Sequence, residues 1–265
     1  MKHKSITKTL ALLAVTVAAL SGCAEYASHA GNVSPSASAT TTTSSTDRSS
    51  NGVGPSLDGP LASGVLAKLT VKGKAAATGY DRNDKFGNGW KDPDGNKCDA
   101  RQDILSRDMT RLSYKDAKKC TVASGRLADQ YTGKTINWKV NSGSVDIDHA
   151  VALKNAWISG AQKLPQDQRV LLANDPLNLM ASEASANRSK GYKNAAEWLP
   201  PHKSFRCQYV ATQISVKRRY SLSVTQAEKD AMSKVLRTCP KQKAAKVTVL
   251  NSEAKTEPVR ATTSK

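Results

Sequence analysis

Two stretches of the chain hold residue types suited to chemistry: Val145-Asp146-Ile147-Asp148-His149 and, downstream, Asn187-Arg188-Ser189-Lys190-Gly191. Of the four histidines (His3, His29, His149 and His202), only His149 follows a carboxylate. An imidazole titrates near ~6.5, so it can take a proton from water at neutral pH. Asp148 offers a hard carboxylate oxygen and Asn187 an amide oxygen, the donor types that suit Mg2+ or a similar divalent ion. A base that activates water beside such a cation is a device for hydrolysing a phosphodiester, whose own negative charge repels nucleophiles.

The alternation of Val145 and Ile147 with Asp146 and Asp148 predicts a short strand that ends on His149. A second short strand is expected over 177–180, after the Asp175-Pro176 turn, and a helix over 182–189 stopped by Gly191. Upstream, Asp99 is placed to cap a helix that runs to Met109. Residues 119–127 and 135–140 read as a hairpin around Tyr131-Thr132-Gly133-Lys134. Further helices are expected over 150–158, 165–173, 205–218 and 225–236. The fold class is α+β: a small antiparallel element carries the site and helices pack around it.

The ends differ in composition. Residues 1–22 combine Lys2, Lys4 and Lys8 with an apolar run from Leu10 to Leu20, a signal peptide too short for a stable span. Leu20-Ser21-Gly22-Cys23 resembles a lipobox, which makes Cys23 the expected lipidation site and the bacterial cell membrane the expected anchor; ordinary secretion is the alternative. Residues 23–70 read as a disordered Ser/Thr-rich linker and 241–265 as a disordered basic tail. The intervening 71–240 are enough for one domain, expected to be monomeric. The chain carries +18, and removing a leader with three lysines takes this to +15. Such a balance points to a polyanionic partner: nucleic acid, anionic lipid or wall polymer. Beyond Cys23 the cysteines are Cys98, Cys120, Cys207 and Cys239, with no Cys-x-x-Cys among them. Three pairings are open. Cys98–Cys120 and Cys207–Cys239 each stay within one local segment and are favoured, each stabilising by about 3 kcal/mol.

Taken with Asn178 and Trp198-Leu199-Pro200-Pro201, these stretches resemble the HNH, or His-Me finger, nucleases, and more closely the secreted bacterial HNH proteins with a GmrSD C-terminal-like domain. Asp148-His149-Ala150-Val151-Ala152-Leu153, Ala173-Asn174-Asp175-Pro176-Leu177-Asn178-Leu179 and Asn187-Arg188-Ser189-Lys190-Gly191 carry that resemblance, and Tyr80, Arg82 and Phe86-Gly87 fit it. It implies a ββα-metal core in which His149 activates water, Asp148 and Asn187 hold Mg2+ or Mn2+, and Asn178 orients the histidine loop. The implied reaction is endonucleolytic cleavage of DNA, or of RNA, leaving a 5′-phosphate.

Arg101 and Arg188 are candidates to clamp phosphate, since a guanidinium grips two oxygens, and Lys190 is a candidate to steer nucleic acid. Asp146 reads as a loop-holding residue, His202 as structural and the four tryptophans as core. Lys217-Arg218-Arg219 reads equally as a phosphate contact or a solvated face. With no specificity module evident, backbone contacts should dominate and sequence preference should be slight. The competing expectations are a non-catalytic nucleic-acid-binding lipoprotein and a wall-binding one.

Overall fold

The computed structural model describes residues 54–250, and side-chain caps open several of its helices. Asp81 accepts the Asp84 N–H to open α2 (Arg82–Phe86), and Asp99 accepts the Gln102 N–H to open α3 (Ala100–Asp108). Thr225 and Glu228 form a capping box that opens the last helix, α8 (Gln226–Leu236). Between α3 and α8 run β1 (Met109–Tyr114), β2 (Val122–Ala128), β3 (Thr135–Lys139), β4 (Val145–His149), α4 (Leu153–Ile158), α5 (Gln166–Asn174), β5 (Leu179–Glu183), α6 (Ala184–Lys190) and α7 (Arg206–Arg219). A further helix, α1 (Ala62–Ala67), precedes α2.

The strands form two antiparallel sheets, β1-β2-β3 and β4-β5. In the second, His149 lies opposite Leu179, Asp148 opposite Met180 and Asp146 opposite Ser182. Helix α6 leaves β5 without a loop; the Glu183 carboxylate accepts the Ala186 N–H, and Gly191, at φ 53°, ends the helix. The first core cluster joins α3, the β1-β2-β3 sheet, β4 and β5 to Tyr209, Val210 and Ile214 of α7. The second gathers Phe86, Trp157, Leu172, Val216 and Tyr220. One helix, α7, thus supplies both cores and fixes the β4-β5 unit against α4 and α5, each large buried side chain contributing about 1.5–3 kcal/mol.

The α+β class and both disulfides, Cys98–Cys120 and Cys207–Cys239, are as expected. The expected hairpin is instead a three-stranded sheet, because β1 pairs with β2. A register shift between Thr110 and Ser113, with Arg111 at φ 52°, breaks the alternation that would have marked β1. The expected domain limits of 71–240 are also too narrow. Ala62, Leu66 and Leu69 are buried, and Gly59 and Ala62 donate to the Ala244 and Gln242 carbonyls. A Ser/Gly/Pro background hides sparse leucines that suffice to anchor the segment, so 54–70 and 241–250 belong to the fold. The signal peptide, Cys23 and the rest of the linker and tail lie outside the described residues.

Candidate active site

His149 is the last residue of β4, and its ring is buried. Its Nε2 lies 2.8 Å from the Ala173 carbonyl oxygen. A carbonyl only accepts, so Nε2 carries the proton and Nδ1 keeps the lone pair. Burial, reinforced by the positive charges of Arg82 and Lys190, outweighs the Ala173 hydrogen bond and drives the imidazole pKa down to about 3. The ring is therefore neutral throughout the physiological range. Trp90 stacks alongside it, with centroids 5.9 Å apart and planes at 9°. Both rings line a cavity of about 160 Å³ with Arg82, Asn83, Leu153 and Asn174.

Asn178 is buried and wholly spent on backbone. Its Oδ1 accepts the Val151 N–H at 2.8 Å, its Nδ2 donates to the Val151 and Leu172 carbonyls, and its own carbonyl accepts the Ala150 N–H. Asn178 thus clasps the turn after His149 and has no polar atom left for substrate.

The other half of the expected constellation lies on the opposite face of β4, since successive strand residues point opposite ways. There, residues three apart on α6 meet residues two apart on β4. Asn187 Nδ2 donates to Asp146 Oδ2 at 3.2 Å, and Lys190 Nζ donates to Asp148 Oδ1 at 2.9 Å and to the His149 carbonyl at 2.8 Å. The Tyr131 hydroxyl donates to Asp148 Oδ2 at 2.5 Å. Burial raises the Asp148 pKa, and the Lys190 charge and the Tyr131 hydrogen bond act against the rise.

A cation shared by Asp148 and Asn187 does not fit these side chains as they stand. Both Asp148 oxygens are engaged, one of them by an ammonium that would repel a dication, and Asn187 turns to Asp146. No group of three or more His, Cys, Asp or Glu side chains among the described residues is arranged to hold a metal ion. Lys190, expected to steer nucleic acid, is fully buried in its ion pair and out of reach of any polyanion. Lys217 is likewise buried, paired with Glu228.

Arg188 is exposed near the end of α6. Arg101 stands in the first turn of α3 and is not among the residues lining the His149 cavity. The guanidinium that does line it is Arg82, and Trp90 lines it too rather than being purely core. Arg82 stands sixty-seven positions before His149, and its only sequence signal is its place among the residues of the resemblance. Arg107 and Asp108 were also missed. Arg107 donates to the Leu179 and Pro176 carbonyls, and Asp108 accepts the Ala181 N–H, so together they clip β5 in place.

Residues 99–235 match the family described as GmrSD restriction endonucleases, C-terminal domain. The chain belongs to this family. A relative from Arthroderma benhamiae, described as an uncharacterized secreted protein, is 40% identical over 180 residues, which cover 67% of this chain and 84% of the relative. No solved structure matches the chain. The GmrSD C-terminal match spans α3 to α8 almost entirely, so it contains His149, Asn178 and the whole β4-β5-α6 unit, and it marks the chain as a nuclease-type domain.

Proposed function

We propose that this protein is an exported nuclease that hydrolyses nucleic-acid phosphodiesters endonucleolytically, with little sequence preference and with His149 as general base. The observation that carries the reading is the His149 imidazole. It is fixed by Ala173 in the tautomer that leaves Nδ1 basic, held neutral by burial, and set in a cavity beside a guanidinium. In the proposed step Nδ1 takes a proton from water, and the water oxygen bonds to phosphorus. The P–O bond to the leaving oxygen breaks, and that oxygen is protonated from solvent. The charge of +18 supports a polyanionic substrate, with DNA preferred on the resemblance. Two disulfides and a secreted relative support an oxidising compartment outside the cytoplasm; lipid attachment at Cys23 is part of the same proposal.

The test is plasmid nicking by the full, disulfide-intact chain in Mg2+, in Mn2+ and in EDTA. Wild type is expected to nick, and His149→Ala to lose at least about 10²-fold. Full activity of His149→Ala in a clean preparation would sink the reading. One observation favours a second reading, a non-catalytic nucleic-acid binder: the Lys190 ammonium occupies Asp148 where a cation was expected. That reading predicts salt-sensitive DNA binding with no hydrolysis in any divalent ion.

A further inference from the structure

The cavity beside His149 has polar groups of two kinds. Asn174 is spent: its Oδ1 accepts the Lys91 N–H at 2.8 Å and its Nδ2 donates to the Val170 carbonyl at 2.9 Å. Arg82 and Asn83 are not. Among the described residues neither side chain has a hydrogen bond, and Arg82 forms no ion pair, although it is the only cation lining the cavity. Arg82 begins α2, which is tied down on both sides. Asp81 caps it, and Gln166 and Arg169 of α5 donate to the Asp84 and Lys85 carbonyls. Phe86, at its other end, is buried against Trp157. The helix therefore holds an exposed guanidinium, free of protein hydrogen bonds and ion pairs, in the lining of the same solvent-open cavity as the neutral imidazole.

We propose that Arg82, assisted by Asn83, is the anion subsite that seats the scissile phosphate against His149. The ligand class is a phosphodiester or phosphate monoester dianion, gripped by two guanidinium N–H groups. The subsite rests on the hydrolase reading above for its catalytic meaning, but its anion binding stands apart from turnover.

The experiment has two arms on the full chain. In the first, inorganic phosphate is titrated while the His149 imidazole signals are followed by NMR. Wild type is expected to show saturable shifts that vanish in Arg82→Ala and weaken in Arg82→Lys. In the second, nicking is measured for the same variants, with Arg237→Ala at the end of α8 as a charge-matched control. Arg82→Ala is expected to lose about 10²–10³-fold in kcat/KM, Arg82→Lys to fall between, and Arg237→Ala to stay within a few-fold. The acidic limb of kcat/KM is expected to move to higher pH in Arg82→Ala, which a merely structural role would not produce. Unchanged phosphate shifts and unchanged kcat/KM in a folded Arg82→Ala protein overturn the subsite, while inactivity of His149→Ala in the same assay leaves the hydrolase reading standing. Conversely, phosphate shifts that depend on Arg82 in a wild type that never nicks sink the hydrolase reading and keep the anion subsite.

Discussion

At the scale of single residues, His149 makes a statement about pH. Its folded pKa, about 3, lies below the value near ~6.5 of an unfolded histidine. Between those values the unfolded chain binds more protons than the folded one, so stability rises with pH across the window and falls as the medium is acidified through it. Thermal melts from pH 7 to pH 4 should therefore drop less steeply for His149→Gln than for wild type; parallel curves would show that the ring titrates normally. The same shift predicts that kcat/KM is flat through pH 6.5, with its acidic limb well below. Asn178 gives a second residue-scale prediction. Asn178→Ala removes the partner of the buried Val151 N–H and should cost about 1–3 kcal/mol in urea denaturation. It should lower kcat more than it raises KM, since the loop that aims His149 loosens while the cavity wall remains.

At the scale of elements, α6 is bolted to β4 by matched spacings, Asn187 to Asp146 and Lys190 to Asp148. Lys190→Met leaves a buried carboxylate without its counter-charge and should destabilise by about 3–5 kcal/mol. Adding Asp148→Leu should restore part of that loss, so the double variant is expected to cost clearly less than the sum of the singles. Additivity within about 0.5 kcal/mol would show that the pair is not coupled. This pair also marks how far the sequence could be read. The strand ending at His149, the helix stopped by Gly191 and the Asp99 cap all follow from local rules of alternation and capping, which need no knowledge of the partner. Whether Lys190 faces solvent or Asp148 depends on how α6 is rotated against β4, and a helix-end lysine looks the same in sequence either way. Arg82 was obscured for a related reason. What makes it part of the site is the packing of α2 on α5, a contact between segments about eighty residues apart.

At the scale of the whole molecule, the two ends of the described chain hold each other. Leu61 and Lys243 form an antiparallel bridge, Gly59 N–H donates to the Ala244 carbonyl, Ala244 N–H donates to the Pro60 carbonyl, and Ala245 N–H donates to Ser215 Oγ on α7. Ala244 is fully buried in the first core cluster, while Ala245 and Leu250 belong to the second. The Cys207–Cys239 disulfide ties α7 to the end of α8 just before this returning segment, so 241–250 starts from a fixed point and loses less entropy on docking. Residues 241–250 also lie beyond the family match, which ends at 235. Ending the chain after Pro240 removes Leu250 and both alanines from the cores and exposes the edge of α1. The loss should be about 3–5 kcal/mol, seen as a lower Tm and a lower urea midpoint. The His149 cavity shares no lining residue with this segment, so the truncated protein, assayed well below its melting temperature, should keep the kcat/KM of the full chain. A Tm unchanged by the truncation would return the domain to the narrower limits its composition suggested. A lowered Tm with intact kcat/KM would establish that the strap stabilises a site it never touches.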